Sequence, residues 1–326
     1  MSDSGMTNDR LKIVVPGDHP PMIAGSPHLE RLAQFGDVVL FDTLPKDENE
    51  QFERVKDADI IINSRGQVKW PEALLRRLPQ LKLISLCSIG TDCVELETAR
   101  ELDVTVCNVP GRTSKVVAEH AFALMFAVAR RMAFTTNDLK RGGWTSLLSV
   151  SLIGKTLGVL GTGNIGCELI QMAKAFGMNV VAWTYNPDRA KAESMGFEYR
   201  KFDDVLKVSD VVSVNVKLTD DSRGLVGADQ LALMKPGSLL INTARAAVVD
   251  TDALIAALSS GHLMGAGLDV YDLEPVPANS PILQCDHVVL TPHAADQLPE
   301  AIDALNDGAV DNVIAYLEGH PKNVVN

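Results

Sequence analysis

The chain has 326 residues, 46% of them hydrophobic and 22% charged, with a formal net charge of −12. Such a composition belongs to a soluble globular protein, and the length exceeds what one hydrophobic core holds, so two domains are expected. The acidic balance argues against nucleic acid or an anionic membrane as a general partner, and no apolar run is long enough to span a bilayer.

The opening residues, MSDSGMTNDR, are polar, carry no signal-peptide pattern and read as disordered. From residue 11 onward, apolar runs at 11–15, 37–41, 59–63, 81–86 and 104–107 alternate with helical patterns near 27–35, 47–56, 71–77 and 93–101. Trp70-Pro71-Glu72 suits a helix start, because proline is tolerated in the first turn. Alternation of this kind predicts a parallel sheet covered by helices on both faces. The five cysteines, Cys87, Cys93, Cys107, Cys167 and Cys285, are odd in number and show no C-x-x-C or Cys/His ligand spacing. They read as small buried hydrophobes in a reducing, cytoplasmic protein, with no metal site.

Asn108-Val109-Pro110-Gly111-Arg112 punctuates the first unit. A long helical pattern follows, from Thr113 or Ser114 to about Ala133, and its segment VVAEHAFALMFAVA is apolar on nearly every face. A helix of that kind is buried on all sides or lies between subunits, so a homodimer through residues 113–150 is expected. Arg141-Gly142-Gly143-Trp144 ends this connection.

The stretch TLGVLGTGNIG, 156–166, is a short apolar run that breaks into G-x-G-x-x-G and continues as a helical pattern. A lone glycine motif is a weak signal; strand, glycine turn and helix together form a dinucleotide fingerprint. Gly161 permits the tight turn, Gly163 lets backbone approach a pyrophosphate, and Gly166 lets the helix pack on the strand. The N–H groups of Asn164 and Ile165 open a helix whose positive dipole end favours phosphate. A second alternating series then runs through strands at 157–161, 179–184, 210–215, 238–242, 264–269 and 287–291. Its helices fall near 165–176, 188–195, 202–208, 228–234 and 250–260, with Asp250 as an N-cap. A last helical pattern, 299–318, is expected to return to the first domain. The fold class expected is α/β: two doubly wound parallel-sheet domains, a Rossmann dinucleotide-binding domain (109–293) inserted into a flavodoxin-like substrate domain (1–108 and 294–326).

Ligands of open α/β sheets bind beyond the carboxyl ends of the strands. Three polar residues follow predicted strands of the second series: Arg245, Glu274 and His293. A guanidinium can hold a carboxylate bidentately, and an imidazole can pass a proton to a substrate oxygen. A glutamate beside that imidazole fixes its tautomer and balances its positive charge. Together they suit hydride transfer to or from a 2-hydroxy acid. Each residue also has a plainer reading: Arg245 paired with Asp250, Glu274 solvated in its loop, and His293 a structural histidine after a strand.

The chain resembles the D-2-hydroxyacid dehydrogenase family, which contains phosphoglycerate, glycerate and D-lactate dehydrogenases, from about Leu11 to about Gly319. The stretches that carry the likeness are SIGTD (88–92), VAEHA (117–121), GKTLGVLGTGNIG (154–166), LMKPGSLLINTARAAVVD (233–250), GAGLDVYDLEP (265–275) and TPH (291–293). The resemblance implies that Arg245 binds the substrate carboxylate, that Glu274 and His293 are the acid–base pair, and that Asp269 meets the nicotinamide amide. It also implies that the Ile89-Gly90 backbone helps hold the carboxylate, in a cleft between the domains. Thr243 and Ala244 complete the candidate cofactor contacts. Formate dehydrogenases and the C-terminal-binding-protein corepressors resemble the chain too. The former have glutamine at the position of Glu274; the latter keep the triad.

Departures from the family pattern bear on specificity. The acidic residue that holds the ribose hydroxyls of NAD is replaced by Thr184, and Arg189, a few residues on, can accept a 2′-phosphate. The cofactor is read as NAD or NADP, with the balance on NADP. Asn215-Val216-Lys217-Leu218 stands where the family often has His-x-Pro-Leu, and Asp296 adds a carboxylate near the site or caps the last helix. Arg65 is a candidate for a second anionic group of a small 2-hydroxy or 2-keto acid, and Trp144, Leu147 and Leu148, from a partner subunit, for an apolar side chain.

Overall fold

The computed structural model describes residues 10–326; residues 1–9, where most of the polar opening stretch falls, lie outside the described residues. Two units divide the chain: one is formed by the residues up to Thr113 together with Gln297–Asn326, the other by Ser114–Asp296.

The first unit alternates β1 (Leu11–Val15), α1 (Pro27–Glu30), β2 (Gly36–Leu40), α2 (Glu48–Val55), β3 (Ile60–Ser64), α3 (Glu72–Leu75), β4 (Leu83–Cys87), α4 (Leu96–Glu101) and β5 (Thr105–Cys107). All pairings are parallel, in the order β2-β1-β3-β4-β5. β3 and β4 are buried at every position, as strands covered on both faces must be. The helix expected over 27–35 is shorter than its pattern: α1 is followed by turns, because Arg31 and Leu32 close with i−3 bonds to His28 and Leu29.

The second unit begins with α5 (Ser114–Ala129) and α6 (Met132–Lys140). It continues through β6 (Thr156–Leu160), α7 (Asn164–Ala175), β7 (Asn179–Trp183), α8 (Arg189–Met195), β8 (Glu198–Tyr199), α9 (Phe202–Val208) and β9 (Val211–Val214). Then come α10 (Ala228–Leu233), β10 (Ser238–Asn242), α11 (Thr251–Ser259), β11 (Leu263–Leu268) and β12 (Val288–Leu290). The sheet runs β12-β11-β10-β9-β6-β7-β8, with all pairs parallel. Strand order therefore reverses between β6 and β9, which is the topological switch point of a doubly wound sheet.

The apolar helix stops at Ala129, short of residue 133, because Arg131 takes a left-handed conformation (φ 52°) and starts α6. Its guanidinium donates to Leu148 O (2.8 Å) and lies 3.1 Å from His287 Nδ1, which holds the break. Much of α5 is buried inside its own unit rather than left for a partner. A Cβ at Gly265 or Gly267 of β11 would come 2.7 Å from Val128 or 2.9 Å from Leu124, so those two glycines let α5 lie against the sheet.

α12 (Pro299–Leu317) packs on the five-stranded sheet, where Ser85 Oγ donates to Ala309 O at 2.8 Å. Leu298, not Asp296, occupies its N-cap. Two carboxylates on successive turns of α12 meet two guanidiniums. Arg31 Nη1 donates to Asp307 (2.7 Å) and Nη2 to Asp311 (2.6 Å); Arg112 donates to Asp307 and, at 2.8 Å, to Asp311. Burial alone would push the Asp307 carboxyl up, but the hydrogen bond and charge of Arg112 hold it below the usual carboxylate range. A carboxyl depressed on folding stabilises above its unfolded pKa, near ~4, and stops doing so as pH falls through its folded value. Asp307→Asn is therefore expected to lower Tm by roughly 2–4 °C near neutral pH, the equivalent of about 1 kcal/mol. In thermal melts across pH the gap from wild type should close at the acid end; a gap of constant size would remove the ion cluster as its cause.

Candidate active site

Parallel pairing sets the frame of the site. Trp183, Leu160, Val214, Asn242, Leu268 and Leu290 form one continuous register row across β7, β6, β9, β10, β11 and β12. All six strands end at that row. Residues just beyond it come from distant parts of the sequence and line a single edge, about 4.8 Å apart per strand.

At the β6 end of the row the three glycines have three different surroundings. Gly161 sits at φ 99°, and a Cβ there would lie 2.8 Å from backbone atoms of Asn215 and Val216. A Cβ on Gly166 would stand 2.0 Å from Gly161 O, so helix and turn touch through backbone. A Cβ on Gly163 would meet no described atom within 4 Å, which leaves the space above that loop open. Gly163 is also the N-cap of α7 and offers no side-chain cap. The first N–H groups of that helix are thus available to an anion. Nearby on the same edge, Thr243 Oγ1 and Asn215 Oδ1 are buried and have no hydrogen-bond partner among the described residues. Buried polar atoms left unpaired are costly, and a bound dinucleotide would relieve them. A tight turn, an open cradle and orphaned acceptors fit a dinucleotide. Asn215, which departs from the family pattern, holds its own amide by donating to Ser213 O and Oγ, 3.1 Å each.

Arg245, Glu274 and His293 follow β10, β11 and β12, three adjacent strands. Asn242 donates to Arg245 O through Nδ2 (3.0 Å) and accepts from Ala244 N through Oδ1 (3.0 Å), so the buried strand end shapes the turn that carries the guanidinium. Asp250 caps α11 through Ala253 N (2.9 Å). His293 Nδ1 lies 2.7 Å from Glu274 Oε2. Glu274 Oε1 accepts from Tyr271 N at 3.0 Å, which fixes the carboxylate's second oxygen. The bond to Glu274 assigns the proton to Nδ1 and leaves Nε2 as the exchangeable nitrogen. Both side chains are part-exposed, at 42% and 37%, so the pair is within reach of a ligand.

His293 has φ 49°, a conformation uncommon outside glycine. The turn is pinned from several sides. Asp269, 1% exposed, accepts from Thr291 Oγ1 (2.6 Å), Ala294 N (2.8 Å) and Ala295 N (3.0 Å). Tyr271 Oη donates to Thr291 O at 2.9 Å, and burial pushes that hydroxyl up to about 12, so it stays a neutral donor. Burial alone would push the Asp269 carboxyl up; hydrogen bonds from His120, Thr291 and Ala294 outweigh it and hold the group ionised below the ordinary range. With Ala295 that makes four donors, about as many as a carboxylate's acceptor positions, so the buried charge is fully met.

His120 and Tyr271 in this network were not among the residues singled out in the sequence. The signal for His120 is a lone imidazole inside a largely apolar helix; for Tyr271 no pattern points to it. Thr184 follows β7 and is half-buried, while Arg189 is the exposed first residue of α8. Arg65, at φ 50°, and Ile89-Gly90 follow β3 and β4, at the carboxyl edge of the first unit's sheet. A cavity of about 580 Å³ lies at the opposite edge of the larger sheet, against Thr156 and Asn179, the first residues of their strands, and brings no acid–base pair together.

Residues 122–295 match the family described as D-isomer specific 2-hydroxyacid dehydrogenase, NAD binding domain. A glyoxylate reductase of Aeropyrum pernix is 35% identical over 309 residues, covering 91% of this chain and 92% of that protein. The crystal structure of a glyoxylate reductase from Paecilomyes thermophila superposes with a TM-score of 0.88 at 27% identity, covering 97% of this chain and 98% of that one. An acyclic imino acid reductase in complex with NADPH and D-Arg superposes with a TM-score of 0.87, also at 27% identity, over 97% of this chain and 100% of that one. A fingerprint with its middle glycine open, a histidine–glutamate pair on the same strand-end row, and likeness over nine-tenths of the sequence agree: the chain belongs to the D-isomer-specific 2-hydroxyacid dehydrogenase family.

Proposed function

We propose that this chain is an NAD(P)-dependent oxidoreductase acting at C2 of a D-2-hydroxy acid or its 2-keto acid. The observation that carries the reading is the 2.7 Å contact between His293 and Glu274, beyond the same strand ends as the open Gly163 loop and Arg245. Gly161, Gly163, Asn164, Ile165 and Gly166 would hold the pyrophosphate, Thr243 and Ala244 the ring end, and Asp269 the amide. A bound nicotinamide supplies or accepts the hydride. The rest falls to this chain's own side chains. Arg245 binds the substrate carboxylate and polarises the adjacent carbonyl. His293 donates a proton from Nε2 to the substrate oxygen in reduction and removes it in oxidation. Glu274 keeps the ring oriented in both directions. On the family resemblance, Arg65 and the Ile89-Gly90 backbone are proposed as further substrate contacts.

Two relatives named as glyoxylate reductases support a short 2-keto acid as substrate. Thr184 in place of an acidic residue, with Arg189 nearby, supports NADP over NAD. The protein is proposed to be cytoplasmic; among the described residues no helix is long and apolar enough to cross a membrane. A homodimer is proposed to form over Met132, Leu139, Trp144 and Leu148, which are 52%, 54%, 90% and 93% exposed on one stretch of chain. Glu274 separates this reading from formate dehydrogenation, since the pattern for that reaction has glutamine there. A dinucleotide-sensing corepressor with the same triad would bind cofactor without turning over keto acids.

With glyoxylate and NADPH, His293→Ala is expected to lose roughly 10²–10⁴-fold in kcat, and Arg245→Ala to fall below detection. Wild-type rates in His293→Ala would remove its role. Comparing kcat/KM for the two reduced cofactors should favour NADPH, with Arg189→Ala narrowing the ratio; a strong NADH preference would reverse the cofactor assignment. Sedimentation at micromolar concentration should give a dimer that Trp144→Asp with Leu148→Asp converts to monomer, whereas a monomeric wild type would rule the dimer out.

A further inference from the structure

His120 stands on α5, a helix whose other inward residues are apolar or small, and its side chain is 23% exposed. Its Nε2 lies 2.9 Å from Thr291 Oγ1 and 3.5 Å from Asp269 Oδ1. Donor arithmetic fixes the direction of this contact. Asp269, held ionised, only accepts, and the single hydroxyl proton of Thr291 goes to Asp269 Oδ1 at 2.6 Å. Thr291 therefore accepts from His120, and Nε2 carries the proton. The chain of bonds runs from His120 through Thr291 to Asp269, where the N–H groups of Ala294 and Ala295 converge from the other side. Those five residues bracket His293, whose φ of 49° needs an outside constraint.

We propose that His120 is a positioning residue for the reaction: acting through Thr291 and Asp269, it locks the turn that aims the His293 imidazole. The proposal rests on the reading of His293 as the acid–base group. Hydrogen bonds in such a chain polarise one another, so loss of the first donor loosens the others. A displacement of about 1 Å at a reacting group costs on the order of 10²-fold in rate. α5 thereby ties the acid–base turn to the packed centre of its unit.

The experiment compares His120→Leu, His120→Gln, Thr291→Val and His293→Ala with wild type, using glyoxylate and NADPH. It measures kcat, KM for the keto acid, NADPH affinity by fluorescence titration, and Tm. His120→Leu and Thr291→Val are each expected to lower kcat roughly 10- to 100-fold. KM and NADPH affinity should stay within about twofold. Combining His120→Leu with Thr291→Val in one protein should lose little more than either change alone, because both cut the same chain. His120→Gln, which keeps an N–H donor at similar reach, should recover most of kcat. The proposal fails if both single variants keep wild-type kcat while His293→Ala does not, if the loss appears as weaker NADPH binding, or if glutamine restores Tm but not kcat. Wild-type turnover in His293→Ala would instead overturn the acid–base reading and the proposal with it. Thr291→Val tests the same chain of bonds without touching α5, should His120→Leu not fold.

Discussion

In-register parallel pairing is the constraint on which the site depends. Strands that pair in parallel must be joined by crossovers, so each one delivers its carboxyl end to the same side. Here six of them stop on one row, from Trp183 to Leu290. Residues separated by more than a hundred positions in sequence become neighbours without any one loop having to be long. A slip in any one pairing would move a catalytic candidate about 3.3 Å along its strand and break the row. The reversal between β6 and β9 does the complementary work: the chains leaving those strands touch at Gly161, and beyond that contact the loop at Gly163 is left open.

That edge carries conformations and charges that the fold must actively hold. His293 is bent into the left-handed region, and Asp269 is an ionised group with 1% exposure. A buried charge is tolerated only when its lone pairs are satisfied, and Thr291, Ala294, Ala295 and His120 all donate to Asp269. Two of those donors are the backbone groups that follow His293. The cost of burying the carboxylate and the cost of bending the turn are offset by the same hydrogen bonds. The Arg31, Arg112, Asp307 and Asp311 cluster plays a similar part in the first unit, where it fixes the returning α12 against earlier parts of the chain.

Much of this was legible in the sequence because it rests on local chemistry. Continuous apolar runs such as LISLC and SLLIN announce strands covered on both faces, and the glycine spacing after TLGVL announces the phosphate turn. Arg245, Glu274 and His293 stand out by position, each past a predicted strand, and are proposed as the acting side chains. What escaped depends on contacts distant in sequence. Arg131 ends α5 because Leu148 and His287 hold its guanidinium, and nothing in the pattern around residue 131 reveals that. α6 has no buried residues, so no amphipathic stripe marks it. β8 has two residues, too few for a period. Asp269 carried a role only through family resemblance; that its carboxylate also organises the turn of His293 emerges only when β11 and β12 lie side by side.

The most direct measurement follows one atom. Glyoxylate is replaced by a longer 2-keto acid so that C2 of the product is chiral, and NADPH is labelled with deuterium at the transferable position. Proton NMR of the product should show C2 deuterated, with no protium there from solvent, and chiral chromatography should give the D isomer. Product with solvent protium at C2, product of the L configuration, or no oxidation of either nicotinamide cofactor across a panel of 2-keto acids would contradict the role given to this edge of the sheet.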